Sequence, residues 1–255
     1  MSNISVLCLS GLDPTGGAGL QADIEACAAN GVHALGLVTA LTVQDSRNVS
    51  AVHAVHAALL ERQLDTLLAD CRPTAIKIGL IGAPEQIPLL CRTLARLRLP
   101  VVCDPILRAG GGAELMPPAT ATRLLSELLP LITLLTPNTA EARRLAPQAT
   151  SLDGCAQTLL ATGCAQVLIT GGDEPGKEVV NTLYRPDHSP RSWHWPRLNG
   201  PFHGAGCTLA AAIAARLALG DTIDAALTAA QEYTQQTLRS ARRIGQGRLV
   251  PRRMW

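Results

Sequence analysis

Two glycines bracket an alanine at positions 204–206 and a cysteine follows at once, within the stretch PFHGAGCTLAAAIAARLALG at residues 201–220. Gly204 and Gly206 let the backbone turn tightly and bring bare N–H groups close to a ligand. The Ala/Leu-rich run behind them meets no helix breaker before Gly220, so the spacing predicts a loop opening into a helix. The unpaired N–H donors and positive dipole end of such a helix bind anions, phosphate above all, and Ala205 adds a third backbone donor. Cys207 falls in the first helical turn, where the same field favours thiolate and is expected to lower its pKa. The stretch also fits a plain tight turn with Cys207 as a buried, inert hydrophobe, and on these residues alone both readings stand.

Other residues capable of chemistry fall where apolar runs end. Gln44 closes one such run, and Asp104-Pro105 closes another just before an Arg-Ala-Gly-Gly-Gly loop. Asn138 and Glu141, three apart, share one face of a first helical turn, a pattern that can serve a site or form a capping box. The loop GLDPTGGAG at residues 11–19 lacks the Lys-Ser/Thr of a nucleotide-triphosphate loop and the spacing of a dinucleotide loop. Lys77 stands alone inside the apolar segment AIKIGLI, an odd place for a charge.

The elements that must position these residues alternate. Apolar or β-branched runs predict strands at 4–10, 33–43, 49–55, 75–81, 100–106, 132–136 and 166–170, with an antiparallel pair at 178–185 and 191–198. Helical periodicity predicts helices at 18–29, with Leu20, Ile24 and Cys27 facing inward, and at 57–69, 84–97, 119–129, from 138, and at 151–162. After the 201–220 stretch, a last helix capped by Asp221 or Thr222 runs towards Arg243 with Ile223, Leu227, Ala230, Tyr233 and Leu238 on one face. Such alternation, without repeat or linker, predicts one α/β domain over residues 1–255 with a mostly parallel sheet covered on both faces. Ligands of such sheets gather at the C-terminal ends of the strands, where the unusual residues lie.

Composition narrows the partners. An apolar fraction of 47% supports a sizeable core, and 22 basic against 20 acidic residues give a net charge of +2 with no nucleic-acid footprint. Aromatics are only 2%, too few to stack single-stranded bases. The eight cysteines contain no C-x-x-C and read as reduced core residues, no secretory leader is recognisable, and the uncharged stretch 27–44 is broken by Asn30, Gly31, His33 and Gly36. A cytoplasmic protein without a membrane span, acting on small molecules, is the expectation.

Phosphoryl transfer asks a protein for donors around the transferring group, a divalent cation and a group that positions or deprotonates the attacking hydroxyl. The segments GLDPTGGAGLQAD, TALTVQ, KIGL, VCDP, LLTPN-x-x-E and HGAGCT, in this order over nearly the whole length, resemble the hydroxymethylpyrimidine and hydroxymethylpyrimidine phosphate kinases of thiamine biosynthesis. These belong to the ribokinase-like superfamily. The resemblance implies a three-layer α/β/α sandwich, a homodimer, and ATP and Mg2+ as cofactors. It implies that Gly204, Ala205 and Gly206 form the anion hole, with Cys207 in the place of a sugar kinase's Asp base. It also implies a pyrimidine site at Gly11, Asp23 and Gln44 with Leu80 and Ile106 as apolar walls, and a magnesium–water network at Asp104, Asn138 and Glu141. The activity implied is phosphorylation of 4-amino-5-hydroxymethyl-2-methylpyrimidine and then of its monophosphate. Two departures are visible: Thr170 stands where many members carry Lys before a Gly-Gly pair, and Ala205 replaces a common Thr. Pyridoxal kinase activity is the neighbouring alternative. A Cys207/His203 thiol hydrolase and a non-catalytic pyrimidine-binding protein are the alternatives from other classes.

Overall fold

The structure, a computed structural model, describes residues 4–254. One nine-stranded sheet runs through it in the order β3-β2-β1-β4-β5-β6-β7-β8-β9. The strands are β1 (Ser5–Leu12), β2 (His33–Gln44), β3 (Val49–Ala54), β4 (Ala75–Ile78), β5 (Val101–Cys103), β6 (Leu134–Leu135), β7 (Val167–Thr170), β8 (Glu178–Tyr184) and β9 (Arg191–Pro196). The inner strands pair in parallel, whereas β3 at one edge and β8 and β9 at the other are antiparallel to their neighbours. The expected antiparallel pair is therefore β8 and β9, at the sheet's far edge.

Helices cover both faces, which gives the expected three layers. Residues of α2 (Ala57–Asp70), α3 (Ile87–Leu97), α5 (Thr139–Leu145) and α6 (Leu152–Ala161) pack with Leu7, Leu9, Ile76, Ile78, Val101 and Cys103 in one core. Residues of α1 (Gly19–Ala29), α7 (Ala205–Ala218) and α8 (Ile223–Arg239) pack with Val6, Cys8, Ala75 and Val102 in the other. Successive strand residues point to opposite faces. The same alternation that sends Ala75 and Val102 towards α7 therefore sends Lys77 and Asp104 there too. The alanines at 210, 211, 212, 214 and 215 are completely buried, and their small side chains let α7 lie close to the sheet.

Several elements differ from expectation for local reasons. The strand expected at 75–81 stops at Ile78; the Gly79 N–H still donates to the Leu9 carbonyl at 2.8 Å, and the chain beyond it carries Leu80 to the pocket. The helix expected at 119–129 is α4 (Pro118–Arg123), followed by one wide turn at Leu124–Leu128 and a tight turn at Leu129–Leu131. Pro130 lacks the N–H that a continuing α-helix would use. The last helix starts at Ile223, with Thr222 Oγ1 accepting from the Ala225 N–H at 3.4 Å, and ends at Arg239 rather than near Arg243. Arg242 instead exchanges backbone hydrogen bonds of 2.8 Å with Val250.

The inner face of α1 is also rotated from the expected one. Leu20 and Cys27 are buried, but Ile24 is 45% exposed and Asp23 takes the inward position. Asp23 faces inward to meet Lys77. The ammonium lies 2.8 Å from Oδ1 as an ion-pair contact and donates to Oδ2 at 2.9 Å and to Ser10 Oγ at 2.9 Å. Ser10 in turn donates to Asp23 Oδ2 at 2.5 Å, and all three residues are shut off from water. Removing one member of such a pair strands the other charge. Lys77→Met should lower unfolding free energy by about 3–5 kcal/mol, and adding Asp23→Leu should recover most of that loss. Urea unfolding of both variants checks this, and a double variant no more stable than the single one would contradict it.

Candidate active site

A cavity of about 170 Å³ opens where the strands' C-terminal ends meet the start of α7. It brings together Gly11, Gln44, Leu80 and Ile106 with Asp104, Asn138 and Glu141, and Gly204, Gly206 and Cys207 line it at the start of α7. Two residues of the expected set lie elsewhere. Ala205 faces an adjoining cavity of about 330 Å³, which shares only Thr170 and Gly206 with the first. Asp23, expected on the pyrimidine, lines neither cavity; its carboxylate pairs with Lys77 beneath the site.

The two glycine-rich loops have opposite hydrogen-bond economies. In the first, Asp13 accepts from the Thr15 and Ala18 N–H groups at 2.8 Å each, the Gly16 N–H donates to the Asp13 carbonyl at 3.0 Å, and the Gly17 N–H donates to Thr15 Oγ1 at 3.1 Å. The N–H groups of Thr15, Gly16, Gly17 and Ala18 are thus consumed inside the loop, while that of Gly19 serves Cys207. In the second, Gly204 caps α7 in the left-handed region at φ +84°, and no side chain caps the N–H groups behind it. Those of Ala205, Gly206 and Cys207 are the open donors of the helix start, directed at the junction of the two cavities.

His203 Nε2 lies 2.7 Å from Asp13 Oδ2. Burial pushes the Asp13 carboxyl up, but the hydrogen bonds from His203 and from the amide and hydroxyl of Thr15 outweigh it and hold it below its ordinary range. His203 thus ties the two loops together instead of serving Cys207 as a base.

The charges correct the expected thiolate. Cys207 is 5% exposed, and burial pushes its thiol up to about 12; Lys77 pulls it down, while Asp104 and Asp23 add to the rise. Burial outweighs the lowering effects of Lys77 and of the Gly19 N–H, so the resting side chain is a neutral thiol. Burial also raises the Asp104 carboxyl to about 6 against the lowering effect of Lys77. Glu141 is raised to about 8 by burial and then by Asp104, with the N–H groups of Asn138 and Leu107 opposing. Burial alone would depress Lys77, yet Asp23, Cys207 and Asp104 together hold it above the usual lysine range.

Asn138 and Glu141 do form a capping box on α5: Asn138 Oδ1 accepts from the Glu141 N–H at 2.8 Å, and Glu141 Oε2 accepts from the Asn138 N–H at 3.0 Å. The cap and the site are one structure, because the cap aims the buried Glu141 carboxyl at the cavity, where Oε1 accepts from the Leu107 N–H at 3.3 Å. Among the described residues no group of three His, Cys, Asp or Glu forms a metal cage. Two carboxyls and an amide that line the wall of an anion pocket suit a hard cation that keeps most of its water.

The second cavity holds residues that the sequence did not single out, among them Asn181, Trp195, Gln231 and Arg248. Arg197 lines it but donates to the carbonyls of Gly172 at 2.7 Å and Gly176 at 2.8 Å, so it staples the turn between β7 and β8. Arg248 donates to the Phe202 carbonyl at 3.3 Å and to that of Gly110, and brings a cation to the side where Thr170 supplies none. Neither arginine sits in a recognisable motif, so only the folded chain reveals them.

Two joined cavities meeting at the open N-terminus of a helix, over a parallel sheet, define a phosphotransferase of the ribokinase-like kind. The sequence model of the phosphomethylpyrimidine kinase family matches residues 13–251, and the chain belongs to that family. It is 36% identical over 249 residues to the hydroxymethylpyrimidine/phosphomethylpyrimidine kinase of Rhizobium meliloti, covering 95% of this chain and 94% of that protein. Its fold matches the ADP complex of Bacillus subtilis pyridoxal kinase with a TM-score of 0.90 and 29% identity, covering 99% of this chain and 98% of that one. It matches phosphomethylpyrimidine kinase from Clostridium difficile 630 with a TM-score of 0.78 and 30% identity, covering 91% and 97%.

Two measurements test these electrostatics. Alkylation of Cys207, followed by mass spectrometry of its peptide, should have a pH midpoint well above that of an ordinary thiol and show no plateau by about pH 10, given a pKa of about 12. A midpoint below that of a free thiol would restore the thiolate. The raised carboxyls carry the second test. Their stabilising contribution is complete below their unfolded values and is lost as pH rises through about 6 for Asp104 and about 8 for Glu141. Tm should fall across that window, and Glu141→Gln should flatten the fall between about pH 6 and 8; an unchanged slope would contradict the assignment.

Proposed function

We propose that this protein uses ATP to phosphorylate 4-amino-5-hydroxymethyl-2-methylpyrimidine and then its monophosphate, giving the diphosphate. The observation that carries this reading is the unpaired first turn of α7 at the junction of the two cavities, with Cys207, Asp104 and Glu141 on the acceptor side. The pyrimidine lies in the smaller cavity between Leu80 and Ile106, and the amide of Gln44 offers its ring both a donor and an acceptor. The nucleotide occupies the larger cavity, near Arg248. The transferred phosphoryl group then sits on the N–H groups of Ala205, Gly206 and Cys207, which hold charge as it develops.

In the transfer, the substrate hydroxyl oxygen bonds to the γ-phosphorus as the bond to the ADP oxygen breaks. The hydroxyl proton must leave, and with a neutral thiol Cys207 cannot simply take it. Cys207 accepts that proton while its own passes to the adjacent Asp104 carboxylate, which is ionised at neutral pH. Asp104, Asn138 and Glu141 would hold Mg2+ through its water, and the ion would supply charge neutralisation for the phosphates.

Pyridoxal is the second acceptor, on the strength of the fold match to pyridoxal kinases. A thiol hydrolase is disfavoured because His203 is engaged by Asp13, and the second cavity argues against a pure pyrimidine binder. A homodimer in the cytoplasm goes with the family reading, and light scattering tests the dimer.

ADP release with a panel of hydroxymethylpyrimidine, its phosphate, pyridoxal and ribose decides the acceptor. The two pyrimidines should give the highest kcat/KM and ribose none; turnover of ribose alone would overturn the proposal. Gln44→Ala should weaken pyrimidine affinity by about 1–3 kcal/mol, the scale of lost hydrogen bonds with partly buried partners, while ATP affinity stays. Titration calorimetry with each ligand reads both, and an unaltered pyrimidine affinity would remove Gln44 from the site.

A further inference from the structure

Arg253 lies in the last segment of the chain, and with 1% exposure it is among the largest side chains fully removed from water. A buried charge is tolerated only when it is paired and hydrogen-bonded, and here the partners are specific. Nε donates to Thr208 Oγ1 at 2.8 Å, in the first turns of α7. Nη1 donates to the Gly16 carbonyl at 3.3 Å and to Glu25 Oε2, on α1, at 3.1 Å. Nη2 donates to the Gly17 carbonyl. One guanidinium therefore grips the loop at 11–19 by two carbonyls and the start of α7 by a hydroxyl.

The two loops touch at that place. A Cβ on Gly204 would overlap the Gly17 carbonyl oxygen and lie 2.8 Å from Arg253 Nη2. The tail that brings Arg253 here is itself anchored: the Tyr233 hydroxyl donates to the Arg253 carbonyl at 2.9 Å, and the Arg252 N–H donates to the Thr237 carbonyl at 3.1 Å. Arg253 lines neither cavity, so any effect it has on the reaction passes through the loops it holds.

We propose that Arg253 is a positioning residue for phosphoryl transfer, a clamp that fixes the open donors of α7 and Cys207 relative to the acceptor pocket on the first glycine loop. This rests on the phosphotransferase reading of the site. The first loop uses the amides of residues 15–18 internally, which leaves its carbonyls as the handle by which it is oriented. Arg253 takes two of them.

Arg253→Met keeps the aliphatic bulk and removes every donor. In the ligand-free variant, backbone hydrogen exchange should rise in residues 13–19 and 203–208 and stay at wild-type level in α3, on the opposite face of the sheet. In the folded variant kcat should fall by about 10- to 100-fold with KM for the pyrimidine within about threefold, since misplacement by about 1 Å acts on chemistry more than on binding. Arg253→Lys should regain part of the lost kcat. Unchanged exchange in the two loops, or a loss of activity no larger than the unfolded fraction, would overturn the proposal. If Arg253→Met does not fold, Thr208→Val removes one acceptor at nearly constant volume. It should loosen the same two segments, and wild-type exchange there would overturn the clamp equally. Failure of the kinase reading would show as wild-type protein that releases no ADP with any acceptor, and the exchange result would still decide the clamp.

Discussion

Lys77 Nζ has exchanged all of its water for protein, and a charge so placed constrains everything near it. On one side it requires Asp23 and Ser10, and α1 is turned so that Asp23, not Ile24, faces inward. It leaves no room for a side chain at position 79, where a Cβ would come within 2.7 Å of both Nζ and Ser10 Oγ. On the other side its field reaches Cys207 and Asp104. The start of α7 therefore lies over a buried cation, which moderates but does not cancel the cost of holding the Cys207 thiol and the Asp104 carboxyl away from water.

The site depends on this frame together with the division of work between the loops. The first glycine loop is a folded unit organised by Asp13, with the N–H groups of residues 15–18 engaged by its own hydrogen bonds, and it is linked to the second loop by His203. The second keeps its donors open because Gly204 turns left-handed and no side chain caps α7. The capping box on α5 joins stability to function in a similar way, since the cap that starts the helix also delivers Glu141 to the pocket. In the proposed transfer, a neutral Cys207 beside an ionisable Asp104 makes the proton's departure a relay between neighbours rather than capture by a ready thiolate.

Much of this was legible in the sequence where one residue type has one physical use. Alternating apolar runs placed the parallel strands and both covering layers, and the residues closing those runs, Gln44, Asp104 and Asn138, do reach one cavity. The Gly-Ala-Gly-Cys spacing located the loop and the helix it opens. Less legible was anything decided by burial, which a sequence window does not report. The helix field at Cys207 pointed to a lowered pKa, but burial, with Asp104 and Asp23 adding to it, raises the thiol in spite of Lys77. Lys77 was visible as an anomaly without a partner, and Asp23, placed in the pyrimidine site by the resemblance, gave no sign of its lysine, because 54 residues separate them. Arg248 and Arg253 were hidden among the scattered arginines of the tail, where no periodicity marks a side chain that folds back onto the second cavity or onto the loops.

The anion's seat at the start of α7, and not in the first glycine loop, is the claim on which the chemistry turns. A crystal structure with ADP, aluminium fluoride, Mg2+ and hydroxymethylpyrimidine tests this directly. The planar fluoride group should lie within hydrogen-bond distance of the N–H groups of Ala205, Gly206 and Cys207, with the substrate's hydroxymethyl oxygen between it and the Cys207 sulfur. A fluoride group seated instead on the amides of residues 13–19, with those of α7 unoccupied, would contradict it.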